Sequence, residues 1–190
     1  LLGDDVEDIR NWVDYEYKES KFDSIRQAIY SLRECKRLLT VKVYGLGAMT
    51  HPGDLALVLQ KAVTETLRKH KIEIAVPTDY ENYIEQIRQN PEIWNHLIDT
   101  HTALSSVVSD SEQLVESLKT GDLGIFHRVT DTLREAQLDI RLNNDNIKQW
   151  LTEVQDRLAE LGTYNGLLIV WDEFTDVMTD AIGVPVLKQL

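Results

Sequence analysis

Two adjacent carboxylates, Asp172 and Glu173, stand directly behind the apolar run Leu167-Leu168-Ile169-Val170-Trp171. Gly166 precedes the run, and Phe174-Thr175-Asp176-Val177-Met178 follows it. A short apolar run bounded by a turn signal predicts a strand buried on both faces, as in a parallel sheet. Ligands of open α/β sheets collect in the crevice outside the carboxyl ends of the strands, and the two carboxylates lie at such an end. Burying them without a counter-charge is costly. A divalent cation is the natural counter-charge. The competing reading is a buried strand that runs into a solvated acidic turn.

Other polar residues point less clearly to chemistry. Gly45-Leu46-Gly47 is too short for a dinucleotide fingerprint, since no third glycine follows at the required spacing, and it reads as a strand-to-helix turn. Thr50 and His51 follow it and would share a sheet end with Asp172 if the strands are parallel; a helix-capping role suits Thr50 better than phosphate contact. His96 and His101 are five apart, so they point about 140° away from each other on a helix and cannot chelate one metal unaided. His101 falls on an apolar stripe and reads as a hydrogen-bonded semi-core residue. Arg128, Arg134, Arg141 and Arg157 are scattered over predicted helices, and nothing in the sequence selects one of them as an arginine finger. The single cysteine, Cys35, excludes an internal disulfide and a cysteine-based zinc site, and its spacing makes it a small core residue.

The chain must hold these residues with ordinary means. Its 190 residues suffice for one well-cored domain with a subdomain. Hydrophobic content of 43% and charged content of 27% are those of a globular protein. A net charge of -12 opposes non-specific attraction to nucleic acid or anionic membrane, because both require a positive field. The single cysteine fits a reducing cytoplasm, the expected compartment; no apolar stretch approaches a membrane span, and the first residues lack a signal-peptide pattern.

The periodicity predicts helices over 4–19 and 22–38, the second with Phe22, Ile25, Ile29, Leu32 and Cys35 on one face. A strand is expected at about 39–45, then a helix from Asp54 to His70 with Leu55, Leu59, Ala62, Val63 and Leu67 on its stripe. Capping boxes at Thr78–Glu81 and Ser109–Glu112 and the pair Asn90-Pro91 open further helices. Gly121 and Gly162 end two of them. One stripe carries Ile93, Leu97, Leu104 and Val108. A second carries Phe126, Val129, Leu133, Ala136 and Ile140. A third carries Ile147, Trp150, Leu151, Val154, Leu158 and Leu161. The expected fold class is therefore α/β and predominantly helical, with a small parallel sheet whose crossover accommodates a large helical insertion.

An apolar run followed by Asp and Glu resembles the Walker B pattern of P-loop ATPases, in the AAA-like division that places a catalytic Glu directly after the Asp. The match covers about eight residues, from Gly166 to Glu173. The resemblance implies that Asp172 orients Mg²⁺ and its waters under the phosphates of ATP, and that Glu173 polarises the attacking water as general base. It divides the chain into an N-terminal part of an NTPase-like core over 1–76, a helical insertion over 77–162, and a Walker B-like strand with the start of a helix over 163–190. The departure from the family is large. GxxxxGK followed by Ser or Thr occurs nowhere, so the backbone phosphate cradle and its lysine are missing. The family places that loop ahead of the Walker B strand, and the expectation is a central slice of a larger ATPase. The alternative is a non-catalytic acidic helical module that binds a protein partner or self-associates.

Overall fold

A computed structural model describes residues 6–35, 37–44, 53–138 and 147–172. Helix α1 (Val6–Glu16) and a 3₁₀ turn at Ser20–Phe22 lead into α2 (Asp23–Cys35) and strand β1 (Leu38–Val43). Helix α3 (Asp54–Lys69) follows. The series α4 (Asp79–Gln89), α5 (Pro91–Thr100), α6 (Thr102–Ser105), α7 (Ser111–Lys119) and α8 (Leu123–Glu135) comes next. Helix α9 (Ile147–Glu160) then delivers the chain to strand β2 (Gly166–Trp171). The protein is predominantly helical with a two-stranded parallel sheet among the described residues, as an α/β reading requires.

β1 and β2 pair from Leu38 opposite Gly166 to Val43 opposite Trp171. The register is fixed at its start by a reciprocal contact. The Arg37 N–H donates to the Asn165 side-chain oxygen at 2.8 Å, and the Asn165 N–H donates to the Arg37 carbonyl at 2.6 Å. The period-2 alternation of a strand puts Leu39, Val41 and Val43 on one face with Leu167, Ile169 and Trp171. That face packs against α3 and α9, through Leu55, Leu59, Val63 and Leu67 of the first and Trp150, Val154 and Leu158 of the second.

The other face corrects the expectation of a strand covered on both sides. Leu168 is half-buried, Val170 is 47% exposed, and Lys42 beside it is exposed. Both packed helices belong to a single core on one face of the sheet, which leaves β2 with the one-sided burial of a two-layer arrangement. Helices α1 and α2 depart from expectation in the same sense: Ile25 and Leu32 of the predicted stripe are exposed, and so is Trp12. The Cys35 side chain lies outside the described residues.

A second core joins α4 to α8. Tyr83, Ile87, Trp94, Leu97, Ile98, Leu104, Leu114, Leu118, Phe126 and Val129 are buried in it. Phe126 meets Tyr80 and Tyr83 edge to face at 5.2 and 5.1 Å between ring centres, the geometry favoured by aromatic quadrupoles. Ile93 is exposed, so α5 turns Trp94 and Ile98 inward instead. The helical stretch 77–162 therefore divides: α4–α8 make their own core, whereas α9 belongs to the sheet core.

The helix signals act as read in most places. Thr78 and Glu81 form the expected capping box, and Gly121 and Gly162 adopt positive φ just beyond α7 and α9. The cap of α7 is shifted by one residue. Asp110, not Ser109, accepts from the Gln113 N–H, while the Gln113 side chain accepts from the Ser109 N–H. A carboxylate is the stronger acceptor at a helix start, since it also meets the positive end of the dipole.

The two faces of the sheet should differ in a urea titration. Leu39→Ala removes a fully buried side chain and is expected to cost about 2–5 kcal/mol. Val170→Thr, on the open face, should stay within about 0.5 kcal/mol of the wild type. A large loss in Val170→Thr would show that this face is covered.

Candidate functional site at the carboxyl end of the sheet

Asp172 is the first residue beyond β2 and is exposed. Its N–H donates to the Val43 carbonyl at 2.9 Å, carrying the ladder one step past Trp171. The last rung of the sheet therefore sets its backbone position. Glu173 lies outside the described residues, as do Thr50, His51 and the Gly45–Gly47 turn. Of the predicted pair, only Asp172 has a described place, at the carboxyl end of a parallel strand.

Helix α3 follows β1 in the chain, and its first residue, Asp54, is only 1% exposed. His127 on α8 brings its Nε2 to 2.5 Å from the Asp54 carboxylate. Sequence reasoning missed this pair. The two residues are 73 positions apart, and each has an ordinary local role, Asp54 in the first turn of a helix and His127 on an amphipathic one. Only the packing of α8 against the start of α3 brings them together.

A second buried polar contact lies further along α3. Gln60 donates its amide to Asp79 Oδ2 at 3.1 Å and accepts the Asp79 N–H at 3.0 Å. Asp79 Oδ1 is buried with no hydrogen-bond partner. Burial pushes the Asp79 carboxyl above its ordinary value of 3.8, and the Gln60 bond opposes the shift only in part. Tyr80 is raised as well, first by burial and then by the charges of Asp122, Asp54 and Asp79. Its hydroxyl donates to the Gly121 carbonyl at 3.3 Å, and Lys61 Nζ donates to the same oxygen at 3.1 Å. The Gln60 and Lys61 contacts tie α3 to the helical core and read as a joint.

The remaining candidates take structural roles. His101 caps the end of α5, and its Nδ1 lies 3.3 Å from Glu135. His96 is exposed. Arg128 donates to the Ala103 carbonyl, Arg134 pairs with Asp131 and Arg157 with Glu160. Arg141 lies outside the described residues. Among the described residues, no group of three or more His, Cys, Asp or Glu side chains is placed to hold a metal ion. No helix among them is long and apolar enough to cross a membrane.

No family model, no curated protein and no solved structure matches the chain.

The joint is testable by two substitutions. His127→Ala takes a close partner from the buried Asp54 carboxylate and should lower stability by about 1–3 kcal/mol in chemical denaturation. His127→Gln keeps a donor and should recover part of that loss. Equal losses in both variants would mean that imidazole packing, and not the contact with Asp54, carries the effect.

Asp79 has a pH signature of definite sign. A carboxyl raised on folding contributes stability that is present below its unfolded value of 3.8 and is lost as pH rises through the higher folded value. Asp79→Asn keeps the acceptor for Gln60 and removes the charge. Its melting temperature should exceed that of the wild type at pH 7, and the gap should close as pH falls toward 4. A gap that stays constant with pH would show that the charge of Asp79 is not what burial penalises.

Proposed function

We propose that this chain is part of an ATP-binding and hydrolysing P-loop ATPase, with a P-loop NTPase-like core around the two strands and α4–α8 as its helical insertion. The observation that carries this reading is the parallel pairing of β1 with β2, which ends with Asp172 exposed at the carboxyl end of an apolar strand. That is where open α/β sheets bind ligands.

The donor chemistry fits a magnesium ion. Mg²⁺ keeps most of its waters and is held by one or two carboxylates together with substrate phosphates, so no dedicated cage of side chains is needed. The cation would offset the charge of the phosphates during transfer. Asp172 would hold its waters, and Glu173, the next residue, would accept the proton of the water that attacks the terminal phosphoryl group. The 190 residues carry no P-loop, so the reading requires one from the same protein beyond this stretch. The acidic helical interaction module is the competing account and needs no nucleotide.

Calorimetric ATP affinity and phosphate release, measured on the full-length protein, separate the two. Glu173→Gln keeps the shape of the side chain and loses its basicity. Nucleotide should still bind, while turnover falls about 10²–10⁴-fold. Asp172→Ala should weaken Mg²⁺-dependent binding as well. Undiminished turnover in Glu173→Gln would remove the catalytic assignment and favour the interaction module.

A further inference from the structure

Asn165-Gly166 is the one Asn-Gly step in the chain, and it stands where β2 begins. Asn165 is exposed, in the bend ahead of the strand, and Gly166 is buried opposite Leu38 on the first rung of the ladder. The reciprocal bonds with Arg37 make Asn165 the latch of the register.

The fold does not require glycine at 166. Its φ lies outside the left-handed region, and a Cβ there would meet Leu38 Cδ2 at 3.5 Å, an ordinary van der Waals contact. Gly121 and Gly162, by contrast, adopt positive φ. What glycine supplies at 166 is an unhindered, conformationally free backbone nitrogen directly after an asparagine.

We propose that Asn165 is a site of spontaneous chemical modification: it closes on Gly166 to a succinimide, and the isoaspartate that follows releases the latch of β2. In the closure, the Gly166 nitrogen gives its proton to solvent and attacks Asn165 Cγ. The bond from Cγ to the side-chain nitrogen breaks, and that nitrogen takes up a proton and leaves as ammonia. Negative charge develops on Asn165 Oδ1, the atom on which the Arg37 N–H already sits at 2.8 Å. Water then opens the ring. Cleavage at Cγ gives aspartate, and cleavage at the main-chain carbonyl gives isoaspartate, whose backbone is one carbon longer. Closure must lift Gly166 off its rung, because the nitrogen has to turn toward the side chain. That rung is the end of the sheet, where local opening costs least. With one more backbone atom between 165 and 166, both Arg37 bonds cannot re-form while Gly166 stays opposite Leu38. The assignment is independent of any role for Asp172.

The test is to age the purified protein in mildly alkaline buffer and map it by mass spectrometry, with isoaspartyl methyltransferase labelling to tell isoaspartate from aspartate. Asn165 should convert faster than Asn82 and Asn95, which precede Tyr83 and His96, and should yield isoaspartate. Urea, which removes the ladder, should speed conversion. Gly166→Ala should slow it about tenfold or more, equivalent to at least about 1.4 kcal/mol of barrier. The added charge separates converted chains by anion exchange, and their amides over 167–172 should exchange faster with deuterium than those of unconverted chains. The comparison with Asn82 and Asn95 uses the unaltered protein, so misfolding of a variant cannot mimic it. Conversion no faster than at those two asparagines, aspartate without isoaspartate, an unchanged rate in Gly166→Ala, or unchanged exchange over 167–172 would each overturn the proposal.

Discussion

Helix α3 is the element on which both cores depend. It is buried on two sides: Leu55, Ala56, Leu59, Val63 and Leu67 face the sheet core, and Leu57 enters the core of α4–α8. A helix apolar on two sides cannot satisfy one core without presenting a surface to the other. The polar residues that fall between those stripes, Asp54, Gln60 and Lys61, are consequently the ones with long-range partners: His127, Asp79 and the Gly121 carbonyl. Apolar burial holds the two units together, and these directional contacts define how they sit, because a buried donor or acceptor tolerates little misalignment.

The same logic separates the two aspartates near the strand ends. Asp54 is buried beside His127 and is spent on architecture. Asp172 is exposed, with its backbone held by the last rung of the ladder. Asp172 is exposed, whereas the Asp54 carboxylate is buried with the His127 imidazole at contact distance.

Local signals were legible from the residues alone, and partners were not. The apolar runs at about 39–45 and 167–171 announce the strands found at Leu38–Val43 and Gly166–Trp171. The Thr78–Glu81 box opens α4, and the glycines at 121 and 162 end helices, because each depends on neighbours a few residues away. A helical stripe states that a face will be covered without stating by what. Ile25, Leu32 and Ile93 lie on stripes and remain exposed, and α9 carries a stripe like its predecessors yet joins the sheet core. β2 is continuous in apolar residues, which suits two-sided burial, but α3 and α9 pack on one face only. The Asp54–His127 and Gln60–Asp79 contacts had no local signature, since an acidic residue in the first turn of a helix is ordinarily explained by the dipole.

The sheet itself has an unusual dependence on everything between its strands. Arg37 and Asn165, which start the register, are 128 positions apart, and among the described residues the β1–β2 pairs are all equally distant in sequence. Closing a flexible loop of that length is entropically unfavourable, although the penalty grows only with the logarithm of length. In the folded chain, α4–α8 hold residues 79–135 of that connection around a core of their own. α3 joins that core through Leu57 and packs another face against β1. The parallel pair, and with it the backbone position of Asp172, rests on a helical unit that contributes no strand to the sheet. This is the physical reason that a connection far larger than the sheet is compatible with a well-defined strand end.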